Sequence, residues 1–469
     1  MSWKVEITNF LGGYAPMWQY SDYPAYGNKN MAGKMTNVDL TNPSYVTQGP
    51  GLTTLTDGDE NGNVDTLIST ILDKAQKSDT SYAAGEDTFY IISSSAVTST
   101  HTVSGTNVNI EDIVYYQGDV YYSWYDDSTA DIGKYDVSAG TYDDDWGTDV
   151  AGAGPFQGVP LPLEEGGDDK FYMGQANFVS SYDGSTWDAD ALDLPDNCEI
   201  QDLKWVNNRL YIAANSPAVS GTNKEEGSIF IWDTVSNSWT DEITIKGGLS
   251  SLYVKNGVLY VFYKDDSCHL GIVQDNQIKY LCDFEGTLPS FGQITNYRNY
   301  IIWVGDDKIY AYGTPHPQLS PMLFQMADGG YSNVGALASP FETPMVASSD
   351  GSVSYKIAKF SDYTTNSSWK SICFDASNMS RGSQLERLIF NFETLKSDAR
   401  VDWNLKDNGG NTISSGIISY ANDGAVNNKR IRLGGAPCSN FRIELDWSNG
   451  DTTNPVKIKS IKIKGHSYE

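Results

Sequence analysis

The sequence is poor in the residue types on which most site chemistry depends. Its five cysteines, Cys198, Cys268, Cys282, Cys373 and Cys438, are an odd number without framework spacing, which argues against a disulfide scaffold. At most Cys268 and Cys282 face each other across one hairpin. Four histidines, His101, His269, His316 and His466, stand isolated, and none has the spacing of a zinc-binding pair. Basic residues number 32 against 60 acidic ones, giving a net charge of −28. Such a surface repels phosphate backbones, so no direct nucleic-acid contact is expected except through a local basic face. It favours solubility in crowded or salty surroundings, with extracellular exposure or assembly against a basic partner as the alternatives. Met1-Ser2-Trp3-Lys4-Val5-Glu6-Ile7 lacks a basic segment followed by an apolar run, and no stretch reads as a membrane span. Neither a signal peptide nor membrane insertion is expected, and synthesis and assembly are placed in a cytoplasm. Gly-x-Ser-x-Gly, phosphate-loop and dinucleotide fingerprints are also missing.

Turn residues and aromatics are abundant instead. Four stretches share one cadence of apolar strand, two-residue polar turn and apolar strand: Ile113–Tyr122, Leu203–Ile212, Leu252–Val261 and Ile294–Trp303. Turns such as Asn256-Gly257 accept left-handed backbone angles, and β-branched and aromatic flanks fit a half-buried pleated surface, so each stretch reads as a β-hairpin. The turns near Gly118, Asn208, Gly257 and Arg298 recur at intervals of roughly 41 to 49 residues once the first gap is halved, the period of propeller blades. Tyr82–Ile92, Phe171–Trp187 and Pro344–Ile357 add three more units. Outer halves recur as well: Tyr135–Tyr142, Tyr182–Trp187 and Ile231–Trp239 each hold an aromatic, an Asp-led turn and a closing aromatic. In these turns the Asp accepts backbone hydrogen bonds while the second aromatic packs between sheets.

The expected fold is all-β, with three parts. Residues 1–60 are punctuated by Gly, Pro and Tyr without a period and read as an extended N-terminal arm, lying on its own propeller or on a neighbouring subunit. Residues 61–378 form a β-propeller of about seven blades. Residues 379–469 carry evenly spaced alternating strands and form a β-sandwich. Its last strand displays Lys457, Lys459, Lys462 and Lys464, a pattern that guards an exposed edge or docks on an acidic face.

One local motif has ligand spacing. In Asp57-Gly58-Asp59-Glu60-Asn61-Gly62-Asn63-Val64-Asp65, the oxygen donors Asp57, Asp59, Asn61 and Asp65 alternate around a Gly-permitted bend, as Ca²⁺ coordination requires. Ile68 at the twelfth position excludes an EF-hand, and the same residues serve ordinary turns, so Ca²⁺ is the one candidate cofactor. Asp126, Asp127 and Asp131, Asp143 to Asp145, Glu164, Glu165, Asp168 and Asp169 read as solvated loop acids. The turn at Tyr182–Trp187 is of the kind found in sialidase-like enzymes, whose chemistry needs clustered arginines and a nucleophile with an acid partner. In the blades only Arg209 and Arg298 stand out, both in polar turns, so a glycoside hydrolase-like enzyme is disfavoured and no catalytic residue is assigned.

The run Ile7-Thr8-Asn9-Phe10-Leu11-Gly12-Gly13-Tyr14, with Asn37-Val38-Asp39-Leu40 and Gln48-Gly49-Pro50-Gly51-Leu52, resembles the start of virion structural proteins of tailed bacteriophages. There a Gly-rich opening and an Asn-x-Asp element precede a Gly-Pro-Gly or similar turn leading into a propeller. The resemblance covers roughly the first 60 residues and implies a non-enzymatic, tail-associated virion subunit, assembled in multiple copies with other virion and tail proteins, as a homo-oligomeric ring. The alternative is a module that binds a host-surface glycan or receptor, with Trp124, Tyr125, Trp146 and Trp187 as stacking residues.

Overall fold

The computed structural model describes residues 2–8, 10, 32–42, 45–59, 62–64, 66–73, 79–150, 160–216, 226–314, 321–328, 333–351, 354–364, 367–371, 373–375, 383–407, 409–437, 440–448 and 450–467. Almost all of the regular structure is antiparallel β. Six consecutive four-stranded sheets occupy residues 70–102, 109–143, 163–193, 199–246, 248–284 and 294–328, each made of strands adjacent in sequence. A seventh takes Asn333–Ala338, Met345–Ser349 and Tyr355–Tyr363 from this order and its fourth strand, Pro50–Asp59, from near the N-terminus. The first strand of each sheet lies beside the first strand of the next, and that of the seventh beside that of the first.

The hairpin cadence becomes the first and second strands of the second, fourth, fifth and sixth sheets. Gln117-Gly118, Asn207-Asn208 and Asn256-Gly257 all have positive φ at both turn residues, which matches the right-handed twist of the flanking strands. The Asp-led outer turns behave as their sequence requires. Asp136 accepts the amides of Ser138 and Ala139, Asp183 those of Ser185 and Thr186, and Asp233 those of Val235 and Ser236. Tyr142, which closes one of these turns, stacks on Tyr135 at 4.6 Å and reaches Phe89 of the first sheet at 5.8 Å.

Besides a two-stranded sheet of Val38–Asp39 and Thr47–Gln48, two larger sheets follow. One orders Ser2–Thr8, Ile458–Ser467, Ser383–Phe392 and Asn428–Pro437. The other orders Ala32–Thr36, Ser368–Ser371, Asn440–Asp446, Arg400–Asp407 and Thr412–Ser419, with Phe374–Asp375 also on Asn440–Asp446. Their inner residues, among them Ile7, Met35, Trp369, Phe390, Trp403 and Ile461, share one core that continues into Tyr300, Ile302 and Phe324 of the sixth sheet and Leu337 and Val346 of the seventh.

Four expectations change. The N-terminal residues expected as an extended arm supply a strand to each of three sheets: Val5 lies opposite Ile463, Met35 opposite Trp369, and Leu52 opposite Phe360. Each segment gives only one strand, whose partner is hundreds of residues away, so no local period marks it. The boundary expected at 378/379 falls within the last two sheets' own material, because Trp369 pairs with Leu445 and Phe374 with Phe441. The lysine-bearing last strand is interior rather than an edge, since Ser2–Thr8 covers one side and Ser383–Phe392 the other. Cys268 and Cys282 share a hairpin but oppose Phe284 and Leu270, so the register keeps them apart and both thiols are free. No helix among the described residues is long and apolar enough to cross a membrane.

Candidate functional site in the axial cavity

Where the first strands converge, they enclose a cavity of about 320 Å³. Its lining comes from six successive sheets or the segments that lead into them, through residues such as Ser69, Glu111, Gln201, Ser250 and Phe291. Three of these sit at equivalent places. A β-bulge interrupts the first strand between Ile110 and Asp112, between Ile200 and Asp202, and between Leu249 and Ser251. Each bulge aims one residue, Glu111, Gln201 or Ser250, at the cavity, and the next residue is buried in the wall.

Those buried residues tie the sheets together. Asp112 accepts the amide of Leu163 in the next sheet at 2.8 Å, that of Ile113 at 2.8 Å, and the hydroxyl of Thr70 in the preceding sheet at 3.3 Å. Asp202 repeats this with Leu252 at 2.7 Å and Leu203 at 2.8 Å. Ser251 donates to the Pro289 carbonyl at 2.9 Å. Glu164 accepts the Trp205 amide at 2.9 Å, and Asp73 accepts the Thr295 hydroxyl at 2.7 Å and the Ser339 amide at 2.6 Å. Buried polar groups must be paired, and each of these has at least one partner on, or leading into, another sheet.

One lysine serves three of these carboxylates. Lys204 Nζ lies 2.9 Å from Asp202 Oδ1 and 3.5 Å from Glu164 Oε2. Burial by itself would lower the lysine, but Asp202, Glu164 and Asp112 outweigh it and hold the ammonium charged. Burial raises both Asp202 and Glu164, with Lys204 opposing it. Asp112 has no direct contact with the cation, and burial pushes it up to about 7 against the pull of Lys204 and the two amides. Since its folded value exceeds the ordinary 3.8, Asp112 contributes stability that is full below the ordinary value and is lost as pH rises towards 7. The loss is on the order of 3–4 kcal/mol. Urea unfolding across this window is expected to show that decline in the wild type and a flatter profile in Asp112→Asn; parallel profiles would remove Asp112 as its source.

The cavity itself is chemically sparse. Glu111 is the one ionisable group among its described lining residues; burial raises it, and the Asn109 side-chain amide, 2.5 Å away, opposes that rise. A glycosidase pair needs a second carboxylate across a substrate gap, and none lines the described cavity. Arg209 is exposed in its turn. Arg298 donates to the Thr41 hydroxyl and lies over the Tyr297 ring at 4.8 Å. Neither reaches this lining.

The Ca²⁺ candidates are only partly in view. Asp57 is exposed with φ 53°, and its carbonyl accepts the Asn63 amide; the Asp59 carbonyl accepts those of Gly62 and Val64. Asn61 and Asp65 lie outside the described residues. Among the described residues no group of three or more His, Cys, Asp or Glu is arranged to hold a metal. The histidines, read as isolated, are paired with acids: His101 with Asp144 at 2.8 Å, His269 with Asp265 at 2.7 Å and Asp283 at 2.5 Å, and His466 with Glu386 at 2.8 Å. His316 lies outside the described residues. Trp124 and Trp187 are buried, Trp124 donating to the Asp144 carbonyl, while Trp146 packs on Tyr121 and Tyr182. Tyr125 is partly buried against the same core.

Comparison with known proteins adds little to this geometry. No protein-family model matches the sequence, and no curated protein matches it. Among solved structures, the computationally designed Ika8 protein is 13% identical, with a TM-score of 0.42, covering 67% of this chain and 100% of its own. The extracellular domain of a putative hybrid two-component system from B. thetaiotaomicron is 13% identical, with a TM-score of 0.47 over 74% of this chain and 44% of its own. A chain of the mitotic checkpoint complex is 13% identical, with a TM-score of 0.45 over 66% of this chain and 94% of its own.

Proposed function

We propose that the seven sheets are the blades of a β-propeller, that the two larger of the remaining sheets form a β-sandwich, and that the protein is a non-enzymatic structural subunit of a tailed phage particle. It belongs to the tail, is present in several copies, and works by assembly with other virion proteins. The reading is carried by the fate of the residues that resemble phage virion proteins. Asn37-Val38-Asp39-Leu40 and Gln48-Gly49-Pro50-Gly51-Leu52 come together as a buried knot. Val38 pairs with Gln48, the Asn37 carbonyl accepts the Gly49 amide at 2.6 Å, and the Asn37 side chain accepts from Gln325 at 2.9 Å. A Cβ on Gly49 would stand 2.1 Å from the Met326 carbonyl oxygen, so only glycine fits.

The knot joins propeller to sandwich, a purely architectural task. The sparse cavity supports the same reading: a rigid disc with tied sheets offers faces and edges rather than a reacting constellation. A glycan-binding module would need exposed stacking surfaces, and the tryptophans expected to supply them are spent on packing. The test is quantitative mass spectrometry of purified virions of the encoding phage, with antibody-labelled electron microscopy. Stoichiometric protein located on the tail is expected; its absence from washed particles would end the proposal.

A further inference from the structure

The outward face of the four-stranded sheet that contains the N-terminal strand concentrates positive charge. In register across its four strands, Lys4 lies opposite Lys464, Lys464 opposite Arg387, and Arg387 opposite Arg432. The neighbouring row runs Glu6, Lys462, Ile389, Arg430. Arg387, Arg430, Arg432 and Lys464 are exposed, and among the described residues none of the four has an ion-pair partner. Glu6 is the acid on these two rows, and it is already engaged by Lys4 and by Lys462 at 2.5 Å, whose hydrogen bonds hold it below the usual carboxylate range.

Like charges directly opposite each other weaken a sheet. Here three such pairs lie in one line, in a chain whose net charge is −28. Lys4 is offset by Glu6, and among the described residues no acid pairs with Lys464, Arg387 or Arg432, so a partner that supplies carboxylates relieves them. No aromatic stands on these two rows, so the stacking that holds single-stranded nucleic acid is missing, and the rest of the surface repels a polyanion. Guanidinium forks fit carboxylates.

The chain carries a matching surface. The outermost strand of the third sheet, Trp187–Asp193, pairs on one side only and displays Asp188, Asp190 and Asp193, all exposed. It contains no lysine or arginine, and none of the three acids has an ion-pair partner among the described residues. Asp188 and Asp190 alternate along their strand at roughly 7 Å, the same repeat that separates Lys462 from Lys464 and Arg430 from Arg432.

We infer that the basic sheet face docks a second copy of this chain through its acidic third-sheet rim. The contact is head-to-tail, so it propagates from subunit to subunit and closes into a ring when the rotation allows. It rests on the multi-copy reading above and names the surfaces that join the copies.

Sedimentation velocity of the full chain at low and high salt tests the contact. The wild type is expected to self-associate at low salt and to dissociate as screening increases. The sheet variant Arg387→Glu/Arg432→Glu/Lys464→Glu and the rim variant Asp188→Lys/Asp190→Lys/Asp193→Lys are each expected to associate at least about tenfold more weakly. Mixing the two restores association, because the reversed faces complement each other. Near-UV circular dichroism verifies that both variants keep the fold, as these side chains are exposed. A wild type that stays monomeric, or a sheet variant that associates as the wild type does, overturns the inference. So does salt-sensitive retention of a monomeric wild type on heparin or DNA, which would assign the face to a polyanion. A monomeric protein that is nevertheless stoichiometric in virions would remove this contact and leave the structural-subunit reading in place.

Discussion

A chain shortened to begin at residue 60 is expected to be insoluble or molten rather than a folded all-β protein lacking an arm. The removed residues bury Val5, Ile7, Phe10, Met35, Val38, Leu40, Val46 and Leu55. At about 1.5–3 kcal/mol each, these eight side chains represent more than about 10 kcal/mol, comparable to the whole stability of an ordinary domain. The truncation also takes one strand from each of three larger sheets at once. Tyr355–Tyr363 loses the partner that completes the seventh sheet, Ile458–Ser467 becomes an edge, and Ser368–Ser371 loses Ala32–Thr36. Open edges of this length pair with other chains. Soluble yield, near-UV circular dichroism and size-exclusion profiles check the outcome. A soluble monomer with cooperative unfolding would mean that the N-terminal strands are dispensable. Loss of this segment therefore reports on folding, and how copies join is better probed by charge reversal on the surface.

Lys204→Met is expected to cost about 3–5 kcal/mol, since it leaves buried carboxylates without their cation. The methionine fills most of the volume, so little of the loss comes from a cavity. Asp202 is fully buried, and its two backbone donors cannot replace an ammonium 2.9 Å away. The defect has a pH signature with a definite sign. Without the lysine, the folded-state values of Asp202 and Glu164 rise further above their ordinary ones. The variant therefore recovers stability as pH falls towards the ordinary carboxylate range and is weakest near neutrality. Urea midpoints at acidic and neutral pH measure this. A loss below about 1 kcal/mol at neutral pH, the range of an exposed pair, would show that the cluster is solvated.

Parts of this architecture are legible in the amino-acid order. The Gln117-Gly118, Asn207-Asn208 and Asn256-Gly257 turns and their flanking strands follow from local backbone preference, and each forms the hairpin expected of it. The Asp136, Asp183 and Asp233 turns are equally local. The polar wall of the axial cavity had a signal that charge alone concealed: Ile110-Glu111-Asp112-Ile113 and Ile200-Gln201-Asp202-Leu203 repeat one pattern at the same offset before the hairpin turn. Read as acids, they pass for solvated residues. Read as repeats at a bulge, they mark the buried groups that tie one sheet to the next.

The sequence by itself determined the all-β character, the hairpins, the outer turns and the alternating strands of the C-terminal part, because each depends on residues within a few positions of one another. Tertiary structure alone decided which sheets the N-terminal strands enter, that the lysine-rich last strand is interior, and that Lys4, Lys464, Arg387 and Arg432 share one line. Those are pairings between residues far apart in the chain, and the registers that create them are set by which apolar faces meet in the core. No local pattern records that choice.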